Sequence, residues 1–102
     1  MLESVYEQCL IFELTNRNLK VESQVKQALI YKGTELNKCF FLDLLVENKV
    51  VVELKCVEII LPIHEVQLVT YLKLAGKKLG LLINFNEPVL KQGIRRKING
   101  EI

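Results

Sequence analysis

Two neighbouring apolar segments with a short polar connection constrain the fold of this chain more than any other feature. They run from Cys39 to Val46 and from Lys49 to Val57, and Glu47-Asn48 lies between them. Short apolar segments bounded by polar turn residues are typical of buried strands, and a two-residue connection joins antiparallel strands. The sequence therefore predicts a β-hairpin whose strands lie inside a sheet.

Charged residues interrupt both strands of this predicted hairpin. Side chains alternate across a sheet, so Glu53 and Lys55 project from the same face of their strand. A hairpin that turns at Glu47-Asn48 also brings Asp43 roughly opposite the stretch that holds Glu53. An unpaired buried charge costs several kcal/mol, and such groups need partners or a metal ion.

Two interpretations of these charges stay open. In the first, Glu53 and Lys55 form an ion pair on a solvent-facing surface of the sheet. In the second, Asp43 and Glu53 bind a hard divalent cation such as Mg²⁺, which prefers oxygen ligands and keeps several waters. Such a metal activates a bound water and neutralises a phosphate oxygen, and Lys55 could orient that water or stabilise developing charge. The second interpretation describes a phosphodiesterase site.

The rest of the chain adds a helix before the hairpin and a helix and strand after it. The predicted elements are a helix from Leu2 to about Arg17, a strand from Lys20 to Tyr31, the hairpin, a helix from about Ile63 to Ala75, an apolar strand from Leu79 to Phe85, and an edge strand or helix end at Gly93 to Ile98. Steps of three and four residues place Leu2, Val5, Cys9 and Phe12, with Leu10 as a further candidate, on the buried face of the first helix. This order predicts an α/β (α+β) fold, a mixed sheet flanked by helices.

Composition excludes several classes of protein. A length of 102 residues allows one domain, residues 1–102, and a hydrophobic content of 50% excludes a disordered chain. No apolar run approaches the ~18 residues of a membrane-spanning helix, and no secretory signal is visible at the N-terminus. Cys9, Cys39 and Cys56 are odd in number and widely spaced, which predicts reduced, buried thiols in a cytoplasmic protein. A net charge of +2 is too small to identify a partner.

The residues resemble those of a known family. Asp43 followed by Glu53-Leu54-Lys55 resembles the D…(D/E)-x-K signature of the PD-(D/E)XK nuclease superfamily, and Gln67 with Tyr71 resembles its Q-x-x-x-Y helix motif. Over essentially the whole chain the order of segments is similar to that of the GxxExxY proteins. The segments are Glu3-Ser4-Val5-Tyr6, Tyr31-Lys32-Gly33, Asp43-Leu44-Leu45-Val46, Val52-Glu53-Leu54-Lys55, Pro62-Ile63-His64-Glu65-Val66-Gln67-Leu68, Tyr71-Leu72, Leu81-Leu82-Ile83-Asn84-Phe85 and Gly93-Ile94.

Two departures from that family stand out. The glycine of its name would fall one residue before Met1, so we expect an N-terminally truncated domain or a late start. The family often carries Arg beside a small residue before the acid, whereas Phe41-Leu42 precede Asp43 here.

The resemblance implies a restriction-endonuclease-like αβββαβ core and a metal-dependent nuclease that hydrolyses phosphodiester bonds in DNA. It implies that Asp43 and Glu53 are ligands of Mg²⁺ or Mn²⁺, that Lys55 is the catalytic lysine, and that Gln67 supports the site. Glu3 corresponds to the acid of the first helix. The alternative is a catalytically inactive module of the same fold that binds nucleic acid or protein, and a homodimer would cover an exposed edge or apolar patch.

Candidate nucleic-acid contacts lie in the second half of the chain. Tyr71 is either a core residue whose hydroxyl is hydrogen-bonded or, by resemblance, a residue that supports the site or touches the phosphate backbone. Basic residues cluster at Lys73, Lys77 and Lys78 and at Lys91, Arg95, Arg96 and Lys97. Such clusters suit phosphate contacts, for which we select Lys73, Arg95 and Arg96, or they form a solvated surface. His64 is either a cap at the start of its helix or a ligand or general base.

Overall fold

A five-stranded sheet with a helix against each face forms the fold. The structure is a computed structural model that describes residues 2–87 and 90–100. Its elements are α1 (Leu2–Asn16), β1 (Val21–Tyr31), β2 (Thr34–Val46), β3 (Val50–Lys55), α2 (Pro62–Ala75), β4 (Leu79–Asn84), a short 3-10 helix (Leu90–Gly93) and β5 (Ile94–Ile98). Neither α1 nor α2 is long and apolar enough to cross a membrane.

The strands lie in the order β1-β2-β3-β4-β5. Strands β3 and β4 are parallel, and the other neighbours are antiparallel. The connection between β2 and β3 consists of the three residues 47–49, so Lys49 belongs to the turn and not to the strand as predicted. Glu47 and Asn48 have positive φ angles of 54° and 55°, as in tight hairpin turns. The predicted hairpin and the predicted mixed sheet in αβββαβ order are therefore confirmed.

The core consists of two layers, one on each side of the sheet. Val51 and Val52 are neighbours on β3 but belong to different layers, as strand alternation requires. The α2 layer contains Leu42, Leu45, Val51, Leu68, Leu72 and Leu82, and the α1 layer contains Leu44, Val46, Val52, Leu54 and Ile83, with Leu10, Ile11 and Leu14 from α1 packed against them.

Both ends of α2 carry local signals. The helix begins at Pro62, one residue before the predicted start, and ends before Gly76, whose φ of 68° suits a residue without a side chain. The Leu61 backbone N–H donates to His64 Nδ1 at 2.9 Å. The capping interpretation of His64 is therefore confirmed.

The predicted buried face of α1 is wrong at Val5, Cys9 and Phe12 and is confirmed at Leu10. Val5 and Phe12 are 57% and 62% exposed, whereas Leu10 and Leu14 pack against the sheet. The helix has apolar residues on opposite sides, so periodicity alone could not decide which side faces the sheet. The side chain of Leu2 lies outside the described part.

The prediction that the cysteines are buried is wrong for Cys9 and Cys39. Cys9 and Cys39 are exposed, Cys56 is half-buried, and all of them are free thiols. Cys9 lies on the outer side of α1, and Cys39 lies where β2 pairs only with β1. A cytoplasmic location stays a prediction.

Strand bounds differ from the prediction on both arms of the hairpin. Strand β2 begins at Thr34 rather than Cys39, and β3 ends at Lys55 rather than Val57. The first part of β2 pairs with β1 alone and is exposed, so no apolar pattern marked it. For the C-terminal end, the sequence predicted an edge strand or a helix end. The structure has an edge strand, β5, preceded by a short 3-10 helix.

Candidate active site

Asp43 and Glu53 lie side by side where β2 and β3 cease to pair through their backbones. Backbone pairing ends at Leu44 and Val52. Beyond that point the Asp43 N–H donates to Glu53 Oε1 at 3.2 Å, and the Leu54 N–H donates to Asp43 Oδ2 at 2.8 Å. Two carboxylates thus act as the acceptors that carbonyl groups would supply in a continuous ladder. Asp43 lies opposite Glu53, which is within the stretch that the hairpin pattern predicted.

A local distortion of β2 aims the Asp43 side chain at β3. Leu42 packs in the α2 layer, but Leu44 packs in the α1 layer, although residues two apart normally share a face. On β1, Ser23 pairs with Leu44 and Val25 pairs with Leu42. Gln24, between them, has a φ angle of 48°. Such irregularities change the direction of single side chains, and here the side chain concerned is that of Asp43.

Glu53 is buried, with 7% of its surface exposed. Burial is the largest cause that raises its pKa, to about 8, and the negative charge of Asp43 adds to it. The Asp43 backbone N–H and the charge of Lys55 lower the pKa without reversing the rise. Glu53 therefore keeps its proton at neutral pH unless further positive charge approaches.

Lys55 ends β3 and is half-buried. It is close enough to lower the pKa of Glu53, but in the described part of the chain no ion pair within 4.0 Å joins it to Glu53 or Asp43. Glu53 is also not solvent-facing. The interpretation of Glu53 and Lys55 as a surface ion pair is therefore wrong.

Asn84 is a residue of this region that the sequence did not single out. It is fully buried at the end of β4 and pairs with Lys55 in the parallel register. Its Nδ2 donates to the Val57 carbonyl at 2.8 Å, and its Oδ1 accepts from the N–H groups of Val57 and Asn86 at 3.0 and 3.2 Å. These bonds explain why β3 ends before Val57. The one feature of the sequence that could have indicated this role is that Asn84 is the only polar side chain in β4.

Gly93 lies directly against this end of β4. A Cβ atom at position 93 would be 2.2 Å from the Asn84 carbonyl oxygen, which is far inside contact distance. A glycine is therefore required for β5 to approach β4 there.

Gln67 and Tyr71 contact each other on α2. Gln67 Nε2 donates to the Tyr71 hydroxyl at 3.2 Å, and the Tyr71 ring stacks on Phe40 with ring centroids 5.1 Å apart. Phe40 precedes Asp43 by three residues on β2. The motif thus packs on the strand that carries the acid.

Glu3 does not form a metal-binding group of three with these carboxylates. It is exposed in the first turn of α1, and the described residues contain no group of three or more His, Cys, Asp or Glu side chains able to hold a metal ion. Tyr6, one turn further along α1, stacks on Phe85 with ring centroids 4.6 Å apart. The start of α1 is therefore beside the end of β4, while Asp43 and Glu53 are the close acidic pair.

The predicted nucleic-acid contacts are divided between the two faces of the sheet. Arg95 pairs with Leu82, which belongs to the α2 layer, whereas Arg96 pairs with Leu81 of the α1 layer. Arg95 Nη1 donates to the Gln92 carbonyl at 2.8 Å. Tyr71 and Lys73 are on α2, so the structure brings Arg95 to their side of the sheet and Arg96 to the other.

Comparisons with known proteins agree with this architecture. Residues 1–97 match the family model of the PD-(D/E)XK nuclease superfamily. The crystal structure of SSO0001 is similar, with a TM-score of 0.74 and 22% sequence identity over 99% of this chain and 52% of that chain. The chain thus spans about half the length of that protein, and at this identity the likeness shows the fold alone.

No curated protein sequence matches the chain. The family match, however, covers almost every residue, and the sheet order and flanking helices are those of the restriction-endonuclease-like fold. This chain belongs to the PD-(D/E)XK nuclease superfamily.

Proposed function

We propose that this protein is a metal-dependent nuclease that hydrolyses phosphodiester bonds in DNA. The observation that carries the proposal is the close placement of the Asp43 and Glu53 side chains, which accept hydrogen bonds from the backbone N–H groups of Leu54 and Asp43, beside Lys55, in a chain of a nuclease superfamily. Within the superfamily we assign it to the GxxExxY proteins, on the segments quoted above.

The donor set fits Mg²⁺ or Mn²⁺. Backbone N–H groups take up Asp43 Oδ2 and Glu53 Oε1, which leaves Asp43 Oδ1 and Glu53 Oε2 as hard oxygen donors. Two carboxylate oxygens with waters completing the shell suit these cations. When bound, the cation supplies an acidified water and neutralises charge on the phosphate.

The chain's own residues have separate roles in this proposal. Asp43 and Glu53 would hold the cation, and Lys55 would donate a hydrogen bond to the attacking water or to the phosphate oxygen that gains charge. Asn84 fixes the backbone just after Lys55 through its bonds to Val57. Gln67 supports the site through the hydroxyl of Tyr71.

Contacts with DNA are proposed on both sides of the site. Lys73 and Arg95 bind phosphates on the α2 side, with Tyr71 near them, and Arg96 lies on the opposite face. Glu3, at the exposed start of α1, would contribute to binding of the cation through a water molecule. Phosphate contacts of this kind position the DNA without reading its sequence.

A second candidate function is a catalytically inactive module that binds nucleic acid or protein. It is favoured by the small number of ligands, because the described residues offer two close carboxylates and no third His, Cys, Asp or Glu. Such a module would bind DNA with a strong dependence on salt and with no dependence on Mn²⁺.

Cleavage of labelled single- and double-stranded DNA in the presence of Mn²⁺ tests the proposal. We expect the wild type to cleave, and Lys55→Ala and Asp43→Asn to lose about a hundredfold or more in rate. Lys38→Ala, a matched change at an exposed lysine of β2, should cleave like the wild type. Equal cleavage by all these proteins, or none by the wild type on any of these substrates, would contradict catalysis.

A further inference from the structure

Helix α1 presents an apolar surface on the side away from its own sheet. Leu10 and Leu14 face the core, while Val5 and Phe12 are 57% and 62% exposed. Val5 and Phe12 are seven residues apart, so they lie on the same side of the helix, and the exposed Cys9 lies between them. We call Val5, Cys9 and Phe12 the outer ridge.

The sheet face beside α1 is only partly covered. Helix α1 lies mainly against β1 and β3. On the same face, Ile94 and Ile98 of β5 are 37% and 39% exposed, and Leu79 and Leu81 of β4 are half-buried. We call this half of the face the β4–β5 flank.

A groove runs between α1 and this flank. It has a volume of about 210 Å³. Every residue that lines it is apolar: Leu10, Leu14, Val46, Val50, Val52, Leu81 and Ile83. Open apolar surface of this kind marks a place where another apolar element docks.

One acid borders the outer ridge, and one basic residue borders the apolar part of the β4–β5 flank. Glu13 lies four residues after Cys9, on the side of the outer ridge, whereas Glu3 and Glu7 lie seven residues before Leu10 and Leu14, on the side that faces the sheet. Helix α1 contains no basic residue. Strand β5 contains basic residues and no acid, and its Arg96 is on the α1 side because it pairs with Leu81. An acidic apolar helix and a basic apolar sheet surface therefore occur on one chain and on one face.

We propose that two copies of this chain form a twofold dimer in which the outer ridge of each packs on the β4–β5 flank of the other. The two α1 helices then lie side by side between the two sheets. The flank is two strands wide, about 10 Å, which is the width of one helix. A second copy is the occupant because its surface matches in both apolar character and charge, and a twofold axis satisfies both contacts at once.

This arrangement leaves the candidate active site outside the interface. Glu53 and Val51 share a face of β3, and Val51 belongs to the α2 layer, whereas the dimer forms through the α1 layer. Of the residues proposed to contact DNA, Arg96 alone lies in this interface, so the dimer is tested on the protein without DNA and independently of catalysis.

Charge reversal tests the interface by sedimentation and light scattering. We expect the wild type to be a dimer, and Glu13→Lys and Arg96→Glu each to weaken dimerisation about tenfold or more. An equimolar mixture of these two variants should recover dimers, because each contact then joins opposite charges. Val66→Ser, at an exposed apolar residue of α2 on the other face, should dimerise like the wild type. A monomeric wild type, or folded variants that fail to pair when mixed, would overturn the proposal.

Thiol labelling gives a second test that needs no variant. In the wild-type dimer Cys9 should react with a maleimide much more slowly than Cys39, and the difference should vanish on dilution to monomer. Both thiols are exposed in a single copy, so Cys39 is an internal control. Equal reactivity of Cys9 and Cys39 in the dimer would show that the copies associate through another surface.

Discussion

Asp43 and Glu53 each accept a hydrogen bond from the backbone of the other's strand, at 2.8 and 3.2 Å. The two acids therefore hold β2 and β3 together where the ordinary ladder has ended. The arrangement brings two negative groups close together, and its electrostatic consequence is the raised pKa of Glu53.

The first prediction concerns stability and pH. The pKa of Glu53 is about 8 in the folded protein, against a model-peptide value of 4.5. Between these values the folded state holds a proton that the unfolded state has released, so the free energy of unfolding falls as pH rises through this window and levels off above it. Urea titrations at several pH values should show this fall, with a size of a few kcal/mol.

Glu53→Gln should flatten this pH dependence and raise the free energy of unfolding above pH 8, because a glutamine keeps the acceptor for Asp43 without the charge. Glu35→Gln, at an exposed residue of β2, is the matched control and should behave as the wild type. A wild type whose stability rises steadily from pH 5 to pH 8 would contradict the raised pKa.

The second prediction concerns divalent cations. Glu53 must lose its proton to bind Mg²⁺ or Mn²⁺, so metal binding should be tighter at high pH. Thermal unfolding should show a larger increase in Tm with Mn²⁺ near pH 8.5 than near pH 6, reversed by a chelator. Asp43→Asn should remove most of the increase at both values. An increase that Asp43→Asn leaves intact would place the metal elsewhere.

The third prediction concerns Asn84. Replacement by Ala removes three hydrogen bonds from a fully buried position and leaves the Val57 backbone unpaired. The free energy of unfolding should fall by about 2–4 kcal/mol. Asn37→Ala, at an exposed position of β2, should change it by less than about 0.5 kcal/mol. Equal stabilities in a urea titration would show that these bonds contribute nothing net.

The fourth prediction concerns Gly93. A methyl group there would meet the Asn84 carbonyl oxygen, and the backbone can relieve that contact only by moving β5 from β4. Gly93→Ala should lower the free energy of unfolding by about 2 kcal/mol or more, whereas Gln92→Ala, at the exposed neighbour, should have little effect. Denaturant midpoints of the two variants give the comparison.

Local signals in the sequence were sufficient to predict the central hairpin. Strand alternation and the turn at Glu47-Asn48 together brought Asp43 roughly opposite the stretch that holds Glu53, and both patterns act over a few residues. The order of elements followed from the same kind of signal, since Pro62 and Gly76 mark the ends of α2.

Long-range features were beyond such patterns. The packing of Leu14, rather than Val5 and Phe12, against the sheet depends on how α1 is oriented. Asn84 bonds to a residue 27 positions away in the sequence. No local spacing reveals a contact of that kind.

The proton on Glu53 has a consequence for the order of assembly. With that proton in place, Asp43 and Lys55 carry opposite single charges and the bare site is close to electrical neutrality. If the protein binds a cation as we propose, the polypeptide would therefore complete its sheet before the cation arrives and exchange the proton for the ion afterwards. Maturation of such a site would release acid into the surrounding solution, which a calorimetric titration in buffers of different ionisation heat would register.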